Sequence, residues 1–239
     1  MVAIRTLLAL ACVLVPTLAQ AQWAASLFTG TSRTRPSTIS IDRPDVGQAL
    51  EFVDVRYDTK PFETAPYYGV RLTRFFSDAR RLGLELELVH NKVYARTGDT
   101  VHVRGTSAGF PVDGRLPMNT FVNRYNQTHG LSFVLASVVW RRPLGQPDGR
   151  VALLVRGGAG PVVSGRDIVM PDLNVQGYEV SAIGGQAAAG ITARIAPMLS
   201  AMVEYKFTYA RPEVDLTAGG RGRMTAASHH IAVGLTIGR

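Results

Sequence analysis

The 239-residue sequence contains a single cysteine, Cys12, and beyond its N-terminal segment it has no apolar run long enough for a transmembrane helix. One cysteine excludes a small domain held together by disulfides. Charged residues make up only 18% of the chain and hydrophobic residues 46%, which excludes a disordered protein. The length fits one large domain or two small ones.

Motifs of familiar soluble enzymes are also missing. The sequence has no HExxH, no GxSxG and no nucleotide fingerprint, and its glycine-rich stretches at 157–160 and 184–185 lack the Lys-Ser/Thr pair of a phosphate loop. The formal net charge is +8, so an acidic partner is expected, such as nucleic acid, phosphate or an anionic membrane surface. Composition does not choose among these.

The N-terminal segment predicts export. Residues 1–21 combine a positive charge at Arg5, a short apolar run and the small-x-small sequence Ala19-Gln20-Ala21, which together are typical of a secretory signal peptide. We expect cleavage after these residues, which leaves 22–239 as a mature domain without cysteine. A lipoprotein cut before Cys12 is the alternative. Export disfavours a nucleic-acid partner.

Alternating residues dominate the mature sequence. Eight stretches of about ten residues have a period of two and are separated by turn signals, a pattern typical of a transmembrane β-barrel. The stretches run over Trp23–Arg33, Pro66–Phe76, Gly83–Ala95, Leu131–Arg142, Val151–Ser164, Ala182–Ile195, Leu199–Ala210 and Met224–Gly238. We therefore predict an all-β fold, an eight-stranded antiparallel transmembrane β-barrel in the bacterial outer membrane, present as a monomer.

The connections between these stretches alternate in length. The connections after the second, fourth and sixth stretches are short, at Ser77–Leu82, Pro143–Arg150 and Ala196–Met198, whereas those near 34–65, 96–130, 165–181 and 211–223 are long. Short periplasmic turns and long external loops are the arrangement of outer-membrane barrels. Within the first long loop, Glu51–Tyr57 alternates enough to extend a strand above the membrane.

Charged residues fall on the face of the strands that should line the lumen. This inward set consists of Arg71, Glu85, Glu87, Arg156, Arg194, Glu204 and Lys206. An eight-stranded barrel is just wide enough for side chains to fill it, so we predict a paired interior network rather than a pore lining. Within the fourth stretch, Ser132–Trp140 alternates poorly and carries no predicted facing.

Polar residues also gather at the predicted external ends of the strands. They are Tyr67, Tyr68, His90, Lys92, Tyr94, His129 and Glu204. Histidine and carboxylate suit a divalent metal, while Lys and Tyr suit phosphate binding or proton transfer. Strict alternation places His90 and Lys92 towards lipid but Glu204 inward, so a shared site needs a bulge near Val89-His90. Without it, His90 and Lys92 would meet a lipid headgroup from outside, or the tyrosines would form an interfacial girdle beside a snorkelling Lys92.

Four segments, in their expected order, resemble the lipid A oxidase family. They are PYYGVRLTRFF at 66–76, GLELELVHNKVYA at 83–95, THGLSFVLA at 128–136 and VEYKFTYARPEVDL at 203–216. The family consists of small outer-membrane barrels of Gram-negative bacteria. The loops from 96 to 127 and from 165 to 181 match nothing in it.

The resemblance implies an enzyme that oxidises the proximal glucosamine of lipid A to 2-aminogluconate. It implies molecular oxygen as co-substrate and a divalent metal ion, without flavin or nicotinamide. The catalytic candidates carried over by matched motif are Tyr68, His90, Lys92, Tyr94, His129 and Glu204. Among them His90, His129 and Glu204 are the metal-ligand candidates. Lys92 would serve a lipid A phosphate, and Tyr68 or Tyr94 a proton transfer or sugar contact.

Two other functions remain open. A non-enzymatic eight-stranded barrel, acting as an adhesin or an envelope-stabilising protein, would use its lumen charges only to hold the wall together. A lipid A deacylase would need a Ser-His pair. Ser132 follows His129 by three positions, but strict alternation puts these two on opposite faces of the strand.

Overall fold

The computed structural model describes residues 22–63, 66–76, 81–145 and 149–238. The predicted signal peptide lies outside these residues, as do the side chains of Thr128, His129 and Ala218. No helix within these ranges is long and apolar enough to cross a membrane. The helical segments there are short 3-10 turns at Pro44–Val46, Met118–Thr120 and Thr217–Gly219.

Eight of the strands in the described ranges close into an antiparallel ring. They are β1 (Gln22–Thr34), β5 (Tyr68–Phe75), β6 (Leu82–Ala95), β9 (Arg124–Pro143), β10 (Val151–Met170), β11 (Leu173–Ala196), β12 (Leu199–Ala210) and β15 (Ala226–Gly238). Their order is β6-β5-β1-β15-β12-β11-β10-β9, and the pairing of β9 with β6 completes the ring. The prediction of an antiparallel barrel is confirmed.

The outer and inner surfaces of the ring differ in polarity. Along β12, Val203 and Tyr205 are exposed on the outside, while Glu204 and Lys206 are buried in the lumen. Other large apolar side chains exposed on the outside include Leu27, Val70, Leu72, Leu84, Leu86, Val138, Trp140, Ile191, Ile231, Val233, Leu235 and Ile237. A closed ring pairs its backbone groups internally, and an apolar outer band then makes it a transmembrane β-barrel.

The two ends of the barrel are built differently. At one end, which we call the turn end, β11 passes into β12 through Pro197 and Met198 alone. At the other end, which we call the cap end, strands β9, β10 and β11 extend well past their neighbours. The prediction of a long loop at 165–181 is wrong. Strand β10 continues to Met170, β11 begins at Leu173, and the two strands pair as a hairpin up to that turn.

A second antiparallel sheet, which we call the cap sheet, lies at the cap end. It consists of β2 (Ser37–Arg43), β3 (Gln48–Val55), β7 (Thr100–Ser107), β8 (Phe110–Pro117), β13 (Glu213–Asp215) and β14 (Arg221–Arg223). A further short strand, β4 (Tyr57–Asp58), pairs with the end of β6. The segments predicted as long loops are therefore largely folded, and the strand character expected at Glu51–Tyr57 is present in β3 and β4.

The cap sheet buries one face against the extended strands. Leu50 and Phe52 of the cap sheet belong to the same buried apolar cluster as Tyr125 of β9 and Ile168 of β10. Burial of this kind stabilises by roughly 25 cal/mol per Å² of apolar surface. An ion pair joins the two parts as well, since the nearly buried Arg43 binds Asp172 of the β10–β11 turn at 2.7 Å. The cap end of the barrel is closed by a hydrophobic core.

The middle of the lumen is filled by the predicted network of charges. Arg71 lies 2.8 Å from Glu87 and also pairs with Glu204, while Arg156 lies 2.7 Å from the second oxygen of Glu204. Lys206 pairs with Glu87.

Glu85 completes this network, and it accepts a hydrogen bond of 2.8 Å from Thr73. Three cations and three carboxylates thus neutralise one another inside the wall. Arg194, predicted to belong to the set, is exposed instead. A plugged lumen of this kind excludes a pore.

Candidate functional site on the lipid-facing wall

His90 points away from the lumen and is nevertheless buried. Side chains of β6 alternate strictly, with Glu87 and Val89 inward, so His90 and Lys92 face outward as parity predicts. The pairing of β5 with β6 runs without a shift up to Tyr68 and His90, so the bulge considered near Val89-His90 is absent. His90 is only 6% exposed and Lys92 only 4%. An outward side chain is buried only when another part of the chain covers it.

The covering element is a bulge in the neighbouring strand β9. Asn91 of β6 pairs with Leu131, whereas Val93 pairs with Gln127, so β9 has extra residues opposite Lys92. The same stretch of β9 also slips against β10 on its other side. Gly130 within this bulge has φ of +104°, a left-handed conformation that favours glycine. A bulge re-aims the strand locally, and here it lays its backbone over His90.

Three contacts hold the imidazole of His90. Its ring stacks on Tyr68, with the centroids 5.1 Å apart and the planes inclined by 19°. Its Nδ1 lies 3.2 Å from the hydroxyl of Ser132. A β-carbon on Gly130 would stand 2.2 Å from Cε1 of the ring, so the glycine makes the close approach possible. Nε2 of His90 is buried and has no hydrogen-bond partner among the described residues.

Cationic and aromatic groups continue the site towards the cap end. The ammonium group of Lys92 lies 5.9 Å from the centroid of the Tyr94 ring, and that of Lys60 lies 5.4 Å from the same centroid. Tyr68 is 39% exposed, so one side of the cluster opens to the surroundings of the barrel. We call Tyr68, His90, Lys92, Tyr94 and Ser132 the wall cluster.

Glu204 does not belong to the wall cluster. Its carboxylate lies in the lumen, where Arg71 and Arg156 occupy its two oxygens. His90 and Glu204 therefore lie on opposite faces of the barrel wall. The side chain of His129 lies outside the described residues. Within the described part of the chain, no three His, Cys, Asp or Glu side chains are grouped so as to hold a metal ion. The expected ligand set of His90, His129 and Glu204 is not assembled by these residues.

Ser132 is the member of the wall cluster that the sequence did not indicate as a partner of His90. In the sequence it stands out only beside His129, whose side chain lies outside the described residues, whereas the structure sets it opposite His90 across the β6–β9 pair. The direct signal was available, because a glycine inside a strand pattern, here Gly130, indicates a bulge or a close backbone approach. Since β9 had no predicted facing, the register that sets His90 opposite Ser132 could not be read from the sequence.

Comparison with known proteins gives a likeness of fold. No protein-family profile matches the chain, and no curated protein matches it. The structure is similar to the outer membrane protease OmpT from Escherichia coli, with a TM-score of 0.48 and 9% identity over 91% of this chain and 97% of that one. It is also similar to outer membrane protein AlkL, with a TM-score of 0.46 and 10% identity over 92% and 90% of the two chains. For Neisserial surface protein A the TM-score is 0.42, with 7% identity over 91% and 96%.

Proposed function

We propose that the protein is an outer-membrane enzyme that modifies lipid A, acting as an O2-dependent oxidase that converts the proximal glucosamine to 2-aminogluconate. One observation carries the proposal. A histidine, a lysine and two tyrosines form a partly covered cluster on the lipid-facing side of the wall, at the cap end of the apolar band. With the chain termini in the periplasm, as in bacterial barrels, the cap end lies outside the cell. The cluster then lies at the level of the lipopolysaccharide headgroups.

The chemistry of the wall cluster suits this substrate. His90 is the candidate proton acceptor, because Nε2 of its ring has no hydrogen-bond partner among the described residues. Lys92 supplies positive charge beside it for a phosphorylated sugar. Tyr68, stacked on the imidazole, fixes the ring and offers an aromatic face to the glucosamine. The sequence resemblance to lipid A oxidases supports these same residues.

The proposed oxidation transfers two electrons from the sugar to molecular oxygen. The anomeric carbon and its free hydroxyl group lose two electrons and two protons, which molecular oxygen takes up as hydrogen peroxide. Water then opens the resulting lactone to the acid, so the lipid gains one oxygen atom. The described residues do not form the three-ligand metal site that the resemblance implies, because the carboxylate of Glu204 lies in the lumen and pairs there with Arg71 and Arg156. A divalent metal, when bound, would supply activation of oxygen.

Mass spectrometry of lipid A tests the proposal. Detergent-purified protein is incubated with lipid A that has a free anomeric hydroxyl, in air and under nitrogen, with and without chelator. We expect a gain of one oxygen in air and none under nitrogen, and the chelator arm tests metal dependence. An unchanged mass in air, with a folded barrel, would leave the non-enzymatic barrel as the better description.

A second candidate function is favoured by the Ser132–His90 contact. A histidine within hydrogen-bond reach of a serine hydroxyl is the minimal arrangement for nucleophilic attack on an ester. A deacylase would attack an acyl ester of the same lipid and release a fatty acid. The same mass spectra separate the two, because deacylation lowers the mass by an acyl chain. Ser132→Ala should abolish deacylation, whereas it should leave oxidation largely intact.

A further inference from the structure

A cluster of basic and aromatic residues lies on the outer wall at the cap end, on strands that do not carry the wall cluster. It is formed by Arg33 of β1, Arg35 just after β1, His229 of β15, Tyr205, Phe207 and Tyr209 of β12, and Arg211 just after β12. We call it the arginine patch.

The strand register brings these residues together. Arg33 pairs with His229, and His229 pairs with Phe207, so the three lie in one row across β1, β15 and β12. Arg35 donates its backbone N–H to the carbonyl of Ala227, which pairs with Tyr209, and this forms the next row. Side chains at these alternating positions share the outer face of the wall.

Hydrogen bonds within the patch determine which groups donate and which accept. Nε of Arg35 donates to Nε2 of His229 at 2.8 Å, so Nδ1 of the neutral imidazole carries the ring proton. Nδ1 lies 2.5 Å from the hydroxyl of Tyr205 and therefore donates to it. The hydroxyl proton of Tyr205 is then left to donate to a ligand. Nε of Arg211 donates to the hydroxyl of Tyr209 at 2.6 Å.

The three arginines of the patch have no acidic partner among the described residues, because no carboxylate there forms an ion pair with Arg33, Arg35 or Arg211. Two arginines of the cap sheet are different, since Arg104 binds Glu51 at 2.6 Å and Arg221 binds Glu213 at 2.6 Å. A concentration of uncompensated guanidinium groups attracts a phosphate, which accepts their paired N–H donors.

The patch continues directly into the apolar band. The row below Arg33 and His229 consists of Thr31, Ile231 and Tyr205, and the next row contains Val233 and Val203. A cavity of about 180 Å³ spans this boundary, lined by Thr31, Arg33, Tyr205, His229 and Ile231 among others. An occupant must therefore present an anionic group above and hydrocarbon below.

We propose that the arginine patch is a binding site for the phosphorylated headgroup of an outer-leaflet glycolipid, of the lipid A class. The guanidinium groups and the Tyr205 hydroxyl bind the phosphate, and the acyl chains lie along the apolar stripe formed by β1, β12 and β15. The site goes beyond the proposed oxidation, because it uses strands separate from His90 and Lys92 and needs no turnover.

Binding of defined lipids under nitrogen tests the proposal without any oxidation. The probes are lipid A carrying one phosphate on the distal glucosamine, the same lipid A without phosphate, and inorganic phosphate. The proteins are the full-length barrel, Arg33→Gln/Arg35→Gln, Tyr205→Phe and the control Arg115→Gln. The control removes an exposed arginine of the cap sheet. Heat-modifiable migration on gels verifies that each variant is folded.

We expect the double variant to bind the phosphorylated lipid A about tenfold or more weakly, because two guanidinium groups that face the phosphate are removed. Tyr205→Phe should weaken binding less, and Arg115→Gln should bind like the unmodified barrel. Phosphate-free lipid A should not distinguish the variants. Equal binding of the phosphorylated lipid by all of them would overturn the proposal. Displacement of the lipid by an equal concentration of inorganic phosphate would also overturn it, because the site would then recognise phosphate alone.

Discussion

His90 and Tyr68 stack on the outside of the barrel wall with their ring centroids 5.1 Å apart, under a bulge contributed by the third neighbouring strand. Stacked side chains at a lipid-facing position are expected to be exposed to the bilayer, yet His90 is nearly buried. The bulge at Gly130 accounts for the difference. The wall cluster therefore depends on backbone geometry as much as on the identity of its side chains.

Gly130→Ala should disable the wall cluster without unfolding the barrel. The new β-carbon would meet the His90 ring at 2.2 Å, and φ of +104° is unfavourable for alanine. We expect lipid A modification to fall by at least tenfold, about 1.4 kcal/mol in transition-state stabilisation, while heat-modifiable migration persists. Gly98→Ala is the matched control, because a β-carbon there meets nothing within 4 Å. Equal losses in both variants would argue against a specific role for the bulge.

Arg71→Ala should strongly destabilise the barrel. Arg71 is buried between Glu87 and Glu204, and its removal leaves only Arg156 and Lys206 to balance three buried carboxylates. Breaking a buried ion pair costs about 3–5 kcal/mol of unfolding free energy. Urea unfolding of the refolded barrel in detergent measures this loss.

The control for Arg71 is Arg104→Ala, which removes an exposed partner of Glu51 in the cap sheet. An exposed ion pair contributes about 1 kcal/mol or less, so this variant should unfold close to the unmodified barrel. If Arg71→Ala cost no more than Arg104→Ala, the lumen network would not be stabilising the wall.

The ion pair between Arg43 of the cap sheet and Asp172 of the β10–β11 turn should make the stability of the protein depend on pH. A hydrogen bond from Arg43 holds the pKa of Asp172 below its ordinary value. A depressed pKa stabilises the folded state above the unfolded value, about 3.9 for Asp, and this contribution is lost as the pH falls through the lower folded value. Asp172→Asn should therefore lower the Tm at neutral pH. The two Tm values should converge as the pH falls below the ordinary pKa of aspartate, and a difference that persists unchanged throughout the acid range would contradict this assignment.

Much of the barrel could be predicted from the sequence because alternation is a local signal. In β12, Val203 and Tyr205 face lipid and Glu204 and Lys206 face the lumen, as their parity indicates. Parity likewise separates His90 from Glu204. The predicted metal site placed His90 and Glu204 together because of the motif resemblance, and it required a bulge near Val89-His90 of β6. The structure has no such bulge.

The cap sheet and the bulge could not be predicted in this way. Strands such as β13 and β14 have three residues each, which is too short for alternation to be distinguished from a loop. Their stability comes from contacts distant in sequence, such as the packing of Gly222 beside the Tyr125 ring. The bulge in β9 adds two residues opposite β6 between Gln127 and Leu131, so it leaves the parity of β9 unchanged but shifts its register, and that shift follows from pairing with β6 and β10.

The most direct test of the central claim compares two histidines of the external half of the molecule. Lipid A is incubated in air with the unmodified barrel, with His90→Ala and with His102→Ala, and its mass is measured. His102 lies in the cap sheet, where it pairs with Asp113 at 3.0 Å, away from the wall cluster. We expect one added oxygen with the unmodified barrel and with His102→Ala, and none with His90→Ala. Full activity of a folded His90→Ala barrel would contradict the assignment of the reaction to the lipid-facing wall.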